Sequence, residues 1–251
     1  MAVGHIIETQ KLSKEFKGFL AVSDVDLKVR RGSIHALIGP NGAGKTTVFN
    51  LLTKFLPPTR GAILFNGEDI TGDRPADVAR RGIIRSFQIS AVFPNLTVLE
   101  NVRIALQRGL GTSFHFWRRE KSLEVLNQRA MELLERVGLA GFARIHAVEL
   151  AYGRKRTLEI ATTLAMDPEL MLLDEPTAGM GHEDVDRVRD LIQEVAVGRT
   201  VLMVEHNMSV VSGICDTITV LQRGSVLAEG PYAEVSRNPQ VIEAYMGTAH
   251  G

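Results

Sequence analysis

One segment of the chain has the residue types and spacing needed to hold a polyphosphate: Gly39, Pro40, Asn41, Gly42, Ala43, Gly44, Lys45 and Thr46. It fits the pattern G-x-x-x-x-G-K-[ST], whose glycines let successive backbone N–H groups converge on phosphate oxygens without a Cβ in the way. A helix beginning at Lys45 adds its positive N-terminal end. In such a loop Lys45 reaches the β- and γ-phosphates, Thr46 places a hydroxyl on Mg²⁺ and Thr47 donates to the α-phosphate. The metal needs a carboxylate, and the apolar run Leu170, Met171, Leu172, Leu173 leads directly into Asp174 and Glu175. Asp174 is expected to hold Mg²⁺ through water. Glu175, next along and pointing elsewhere, is placed to orient an attacking water or accept its proton, which is the only base a hydrolysis requires. Two plainer readings stay open here: a glycine turn beside a surface lysine, and Asp174, Glu175 and Pro176 as a surface strand cap.

These residues need elements to position them. Residues 33–38 form a short apolar run into the glycine-rich loop, and a helix is expected over 45–54 behind it, giving strand, loop, helix. Strands are expected at 6–9 and across 21–30, where Val22, Val25, Leu27 and Val29 are spaced for a sheet face. A hairpin is expected where residues 62–65 meet Asn66 and Gly67, a dipeptide that tolerates positive φ, with 68–70 returning. From about 95 to 150 the chain reads as helical. Thr97 and Glu100 make a capping box, and apolar residues from Leu123 to Val137 recur at helical spacing until Gly138 stops the helix. Strand 170–173, a helix through Val185, Val188, Leu191, Ile192 and Val195, and strand 200–204 then alternate, which predicts a parallel sheet covered by helices. Two short helices are expected after Gly230, divided at Asn238 and Pro239.

Composition narrows the class. The chain has 251 residues, 45% of them hydrophobic, which is enough for a full core. Lys plus Arg total 29 and Asp plus Glu total 29, so no bulk charge draws it to nucleic acid or anionic lipid. The one cysteine, Cys215, fits a reducing compartment and reads as a buried structural thiol. No stretch approaches about 18 uninterrupted apolar residues, and the first ten residues lack the pattern of a secretion signal, so neither a membrane span nor a leader is expected.

The ordered set of motifs, over nearly the whole chain, resembles the ATP-hydrolysing subunits of ABC membrane transporters. The resemblance implies an α/β fold: a P-loop NTPase (RecA-like) core with a mainly parallel sheet, an antiparallel β subdomain and an inserted helical subdomain. It divides a single ATPase domain, 1–251, into a nucleotide-binding core with its β subdomain (1–88 and 154–230), a helical subdomain carrying the signature (89–153) and a C-terminal helical tail (231–251). It implies ATP and Mg²⁺ as ligands. Phe16 is similar to the aromatic that stacks on adenine, Gln88 to the glutamine that touches Mg²⁺, and His206 to the histidine that contacts the γ-phosphate and steadies the water. Lys45, Gln88, Glu175 and His206 are then the catalytic set, and Thr46, Gln88 and Asp174 the metal set.

The family signature Leu-Ser-Gly-Gly-Gln resembles Leu150, Ala151, Tyr152, Gly153 and Arg154 in altered form. In the family this segment caps the nucleotide of another subunit, so Ala151, Tyr152, Gly153 and Arg154 are expected to act in trans. Ala151 has no hydroxyl to offer, whereas the Gly153 amide, the helix N-terminus and Arg154 remain. Gly181 stands where the family has an aspartate that crosses the dimer, and the spacing of Glu183 and Asp184 argues against their replacing it. Phe87, Val92 and Phe93 are candidate anchors for a short helix of a membrane subunit, or else pack the subdomain core.

Three segments, 82–88, 150–161 and 243–247, look most like branched-chain amino acid importer ATPases, with urea and amide importers using similar subunits. The implied partners are integral membrane permease subunits and a second ATPase, a different chain or a second copy, with no nucleic acid, at the cytoplasmic face of the membrane. Ribosome- or DNA-acting ABC ATPases are disfavoured by the single ATPase domain, a GTPase by the missing Asn-Lys-x-Asp, and a small-molecule kinase by Tyr152, Gly153 and His206.

Overall fold

The computed structural model describes residues 4–86, 92–109 and 120–246. In chain order the elements are β1 His5–Phe16, β2 Phe19–Val25, β3 Lys28–Arg30, β4 Ile34–Ile38, α1 Lys45–Leu52, β5 Arg60–Phe65, β6 Glu68–Asp69, α2 Pro75–Arg80 and β7 Ile83–Ser86. They continue with α3 Val98–Gly109, α4 Glu120–Arg136, α5 Tyr152–Ala165, β8 Leu170–Asp174, α6 His182–Val195, β9 Thr200–Val204, α7 Met208–Ile214, β10 Thr217–Gln222, β11 Ser225–Gly230, α8 Tyr232–Val235 and α9 Pro239–Met246.

Two sheets result. The larger runs β11-β10-β4-β9-β8-β7 and is parallel except for the β10–β11 hairpin. All residues of β4, β8 and β9 are buried, as expected of parallel strands covered on both faces. Their side chains alternate between two cores. Leu37, Leu170, Leu172, Leu202 and Val204 join α1 and the second sheet, whereas Ala36, Met171, Leu173, Val201 and Met203 join the helices on the other side. The second sheet is antiparallel, in the order β2-β1-β5-β6 with β3 on β1. Helix α5 packs on α3 and α4 and also reaches β7 and α6, linking the helical region to the larger sheet.

The Asn66–Gly67 turn has φ of 53° and 81° and closes the expected hairpin. The capping box is present: the Thr97 amide donates to Glu100 Oε2 at 2.8 Å and the Glu100 amide to Thr97 Oγ1 at 3.2 Å. The single strand expected over 21–30 is instead two. Asp24 takes φ 47°, Asp26 turns its carboxylate to the Lys11 amide at 2.7 Å, and the Thr9 hydroxyl bridges Val25 O and the Leu27 amide at 2.7 and 2.8 Å. Side-chain oxygens thus replace the ladder between β2 and β3. Helix α1 stops at Leu52, two residues early, because Lys54 adopts φ 62°. Strands β7, β10 and β11 and helices α2 and α7 were not expected from the sequence.

His35, buried in β4, ties three strands together. Thr219 Oγ1 donates to Glu229 Oε2 at 2.6 Å, so it accepts from His35 Nε2–H at 2.7 Å, and the ring is neutral with Nδ1 bare. Burial, reinforced by Arg30 and opposed by Asp216, lowers its pKa from 6.5 to about 4. Between these values the unfolded chain binds a proton that the folded chain refuses. This site therefore contributes fully above pH 6.5 and loses its contribution as pH falls towards 4, by up to about 3 kcal/mol. Urea unfolding at pH 7 and pH 4.5 is expected to show a shallower acid loss for His35→Gln than for the wild type; equal losses would contradict this.

Candidate nucleotide-binding and hydrolytic site

The parallel register brings the functional residues to one edge, because the loop 39–44 leaves the C-terminal end of β4, Asp174 ends β8 and His206 follows β9. Backbone geometry shapes the loop. Gly39 has φ 150°, and a Cβ there would lie 2.2 Å from the Leu221 carbonyl oxygen; Gly44 has φ 102°, and a Cβ would lie 2.7 Å from Ala21 O. Both positions exclude side chains. Pro40 is half-buried, Asn41 and Gly42 face solvent and Ala43 is buried. The Lys45 side chain folds back so that Nζ donates to Gly39 O at 2.7 Å and Pro40 O at 3.0 Å. Burial lowers the Lys45 pKa, against the pull of Glu175 and Asp174. Its ammonium therefore sits on carbonyls that a phosphate oxygen can replace. Thr46 is exposed and Thr47 half-buried in the first turn of α1.

Asp174 is 2% exposed, and its two oxygens differ. Oδ2 accepts from Arg85 on β7 at 2.5 Å, and Arg85 also donates to Asn50 Oδ1 on α1 at 2.6 Å. Oδ1 is buried and has no hydrogen-bond partner among the described residues. A buried carboxylate oxygen normally finds a donor or a cation. The donor set therefore fits a hydrated divalent cation held from Oδ1.

Glu175 adopts φ 47° with its amide bonded to Val204 O at 2.9 Å, and its Oε1 lies 2.8 Å from His206 Nε2. The two residues expected to handle water are thus in direct contact. Glu205, just past the strand expected over 200–204 and part of no motif, holds both loops in place. Its Oε1 accepts from the Thr177 amide at 3.0 Å and the Thr177 hydroxyl at 2.5 Å, and its Oε2 from the amides of His206 at 2.8 Å and Asn207 at 3.0 Å. One buried carboxylate therefore joins the segment after β8 to the segment after β9.

Phe16 is 40% exposed at the end of β1 with Lys14 Nζ 5.2 Å from its ring centre. The β2 strand beside it touches the loop through Ala21 and Val22. Gln88 and Phe87 lie outside the described residues. Val92 is buried in the core, so it is no docking anchor, whereas Phe93 is 52% exposed.

Ala151 is the N-cap of α5 and supplies no side-chain bond. Tyr152 is exposed, its hydroxyl accepting from Arg156 at 3.1 Å. Arg154 lies over the Phe142 ring at 4.1 Å. Asp184, half-exposed and 3.6 Å from Arg187, also lies beside the signature segment: its carboxylate is 2.9 Å from where a Gly153 Cβ would be. Asp184 thus lies against the signature segment of its own chain.

Sequence reasoning also missed Tyr245 on α9. Its hydroxyl faces the Gly39 amide, and burial pushes its pKa up to about 12. Cys215 is likewise pushed up to about 12 by burial, in keeping with an unreactive thiol.

A glycine-shaped loop, a buried aspartate and a carboxylate–histidine pair, all at the C-terminal edge of a parallel sheet, are the arrangement of a P-loop nucleoside triphosphatase. Residues 22–178 match the ABC transporter family, and residues 225–251 match a family described as branched-chain amino acid ATP-binding cassette transporter. The chain belongs to the ABC transporter family, as one of its ATP-binding cassettes. It is 41% identical over 254 residues to the high-affinity branched-chain amino acid transport ATP-binding protein BraF of Pseudomonas aeruginosa, covering 97% of this chain and 98% of BraF. LivG of Escherichia coli K12, similarly described, is 41% identical over 253 residues, covering 97% and 98%. Among solved structures, a cassette of an ABC transporter in its ADP conformation superposes with TM-score 0.84 at 30% identity, covering 97% of this chain and 99% of that one. A nucleotide-free cassette gives TM-score 0.83 at 29% identity, covering 96% and 98%.

Glu205→Gln removes two of the four acceptor contacts, since an amide nitrogen cannot accept. ATP turnover is expected to fall about 10- to 100-fold while ATP affinity changes less than about three-fold, as for other residues that orient a site. Turnover and equilibrium binding on one preparation check this; an affinity loss matching the turnover loss would contradict it.

Proposed function

We propose that this chain is the ATP-hydrolysing subunit driving import of branched-chain amino acids, docked on integral membrane permease subunits at the cytoplasmic face of the membrane. The observation that carries the hydrolytic part is the meeting of the phosphate loop, Asp174 and the Glu175–His206 pair at one sheet edge. The cargo rests on what BraF and LivG are described as transporting and on the match over 225–251. Among the described residues no helix is long and apolar enough to cross a membrane, which suits a peripheral subunit.

In this reading Lys45 leaves Gly39 O and Pro40 O for the β- and γ-phosphates while the loop amides hold the phosphate oxygens. Thr46 and Asp174, with Gln88, would hold Mg²⁺, which when bound would supply charge neutralisation to the transferring phosphoryl group. Glu175 orients water and takes its proton, and His206 holds the Glu175 carboxylate in place and lies beside the γ-phosphate. Phe16 stacks on adenine. Ala151, Tyr152, Gly153 and Arg154 of a second cassette complete the site in trans, so Asp184 must leave Gly153 as the sandwich closes. The functional division is a core of 1–88 and 154–230, a helical subdomain of 89–153 and a tail of 231–251.

Glu175→Gln is expected to lower ATP turnover at least about 100-fold while retaining Mg–ATP binding. In cells carrying it in place of the wild-type chain, uptake of labelled leucine is expected to stop. Unchanged turnover would remove Glu175 from the base role; lost turnover with normal leucine uptake would leave the ATPase but overturn the cargo.

A further inference from the structure

Arg85 is the one charged side chain in contact with the metal carboxylate among the described residues, and no motif points to it. It lies on β7, where Arg85 pairs with Leu172 of β8, and like Ile83 it faces the core that contains α1. The pair it makes is well enclosed: the Arg85 side chain is 8% exposed and that of Asp174 is 1%. Its guanidinium spans two elements, giving one nitrogen to Asp174 Oδ2 and another to Asn50 Oδ1, with the Phe49 ring 5.6 Å from its centre. Phe49 and Asn50 belong to α1, the helix that carries Lys45 and Thr46. Arg85 therefore joins the strand bearing the metal carboxylate to the helix bearing the phosphate-binding lysine. It also occupies Oδ2 alone and leaves Oδ1 without a partner among the described residues.

We propose that Arg85 is a positioning residue for Mg–ATP: it fixes the Asp174 carboxylate with Oδ1 available to the metal, and it neutralises that carboxylate until the metal arrives. The proposal rests on the reading of Asp174 as the metal carboxylate. Two separable functions follow from the chemistry of the guanidinium. Its charge offsets a buried anion that would otherwise repel an incoming polyphosphate, which matters most when no divalent cation is present. Its planar fork holds Asp174 and Asn50 at once, which sets the carboxylate plane, and an ammonium on a flexible stem cannot do that. Arg85 also lies three residues before Gln88. A displacement of β7 at its C-terminal end would therefore be felt at Asp174 through this side chain as well as through the β7–β8 ladder.

The test is equilibrium ATP binding by the full chain, measured by calorimetry in excess Mg²⁺ and again in EDTA. Arg85→Gln removes the charge. Affinity for metal-free ATP is expected to fall about ten-fold or more, whereas Mg–ATP affinity falls less than about three-fold, because Asp174 without its cationic partner attracts Mg²⁺ more strongly and this offsets the lost orientation; the enhancement by Mg²⁺ therefore grows. Were Arg85 only a packing residue, both affinities would fall by the same factor and the ratio would stay at the wild-type value, which overturns the proposal, as does no change in either.

Arg85→Lys, which keeps the buried charge balanced, serves if Arg85→Gln does not fold. It is expected to bind metal-free ATP within about three-fold of wild type and Mg–ATP about five- to ten-fold more weakly. Wild-type Mg–ATP affinity in that variant would contradict the positioning role. Failure of the wild type to bind ATP more tightly with Mg²⁺ than without would instead overturn the assignment of the metal site itself.

Discussion

The structure depends on one constraint: β4, β8 and β9 are buried on both faces. A strand covered on both sides can satisfy its backbone only through neighbours in the sheet, and side chains of period two then commit alternate residues to two separate cores. A slip of one residue in β8 would exchange Leu170 and Leu172 with Met171 and Leu173 between a core built on α1 and one built on α5 and α6. Register is therefore set by packing. Because the three strands are parallel and paired as neighbours or next-neighbours, their C-terminal ends meet, and the residues that follow them are brought together without any further device.

At that edge the fold gathers several charges, and each has a specific partner. Glu205 accepts four donors from two loops, Asp174 faces Arg85, and Lys45 rests on two carbonyls. Glu175 meets His206. Such arrangements cost desolvation and are retained where an incoming charge is to be met by groups already in place. The signature helix α5 is less settled. Its N-terminus has no side-chain cap, and Asp184 lies against Gly153, so a negative group from this same chain stands where the helix end would otherwise attract an anion.

Much of this was legible in the sequence because short motifs report local backbone chemistry. The glycines of 39–44 imply a loop that excludes Cβ atoms, and Gly39 and Gly44 do so against Leu221 and Ala21. Asn66–Gly67 reads as a tight hairpin, whereas the equivalent turn at Arg223 and Gly224, with φ of 48° and 83°, carries no such signature, so β10 and β11 went unread. Arg85, Glu205 and Tyr245 could not be found by spacing. Each acts on a residue distant in sequence, Arg85 on Asp174 and Tyr245 near Gly39, and each sits in a segment that reads simply as strand or helix. Asp184 shows the same limit: its spacing argued against a role in place of an aspartate at Gly181, but nothing in the sequence pointed to its contact with Gly153.

The central claim is that this sheet edge is a binding site for Mg–ATP organised around the phosphate loop, and it is tested most directly by calorimetric titration of Mg–ATP into the wild-type chain and into Lys45→Ala. One saturable site is expected in the wild type, weakened at least about 30-fold in the variant, since a buried charged contact to the phosphates is worth about 2 kcal/mol or more, with circular dichroism unchanged. Equal affinities in the two proteins would mean that ATP binds elsewhere or not in the way this geometry requires.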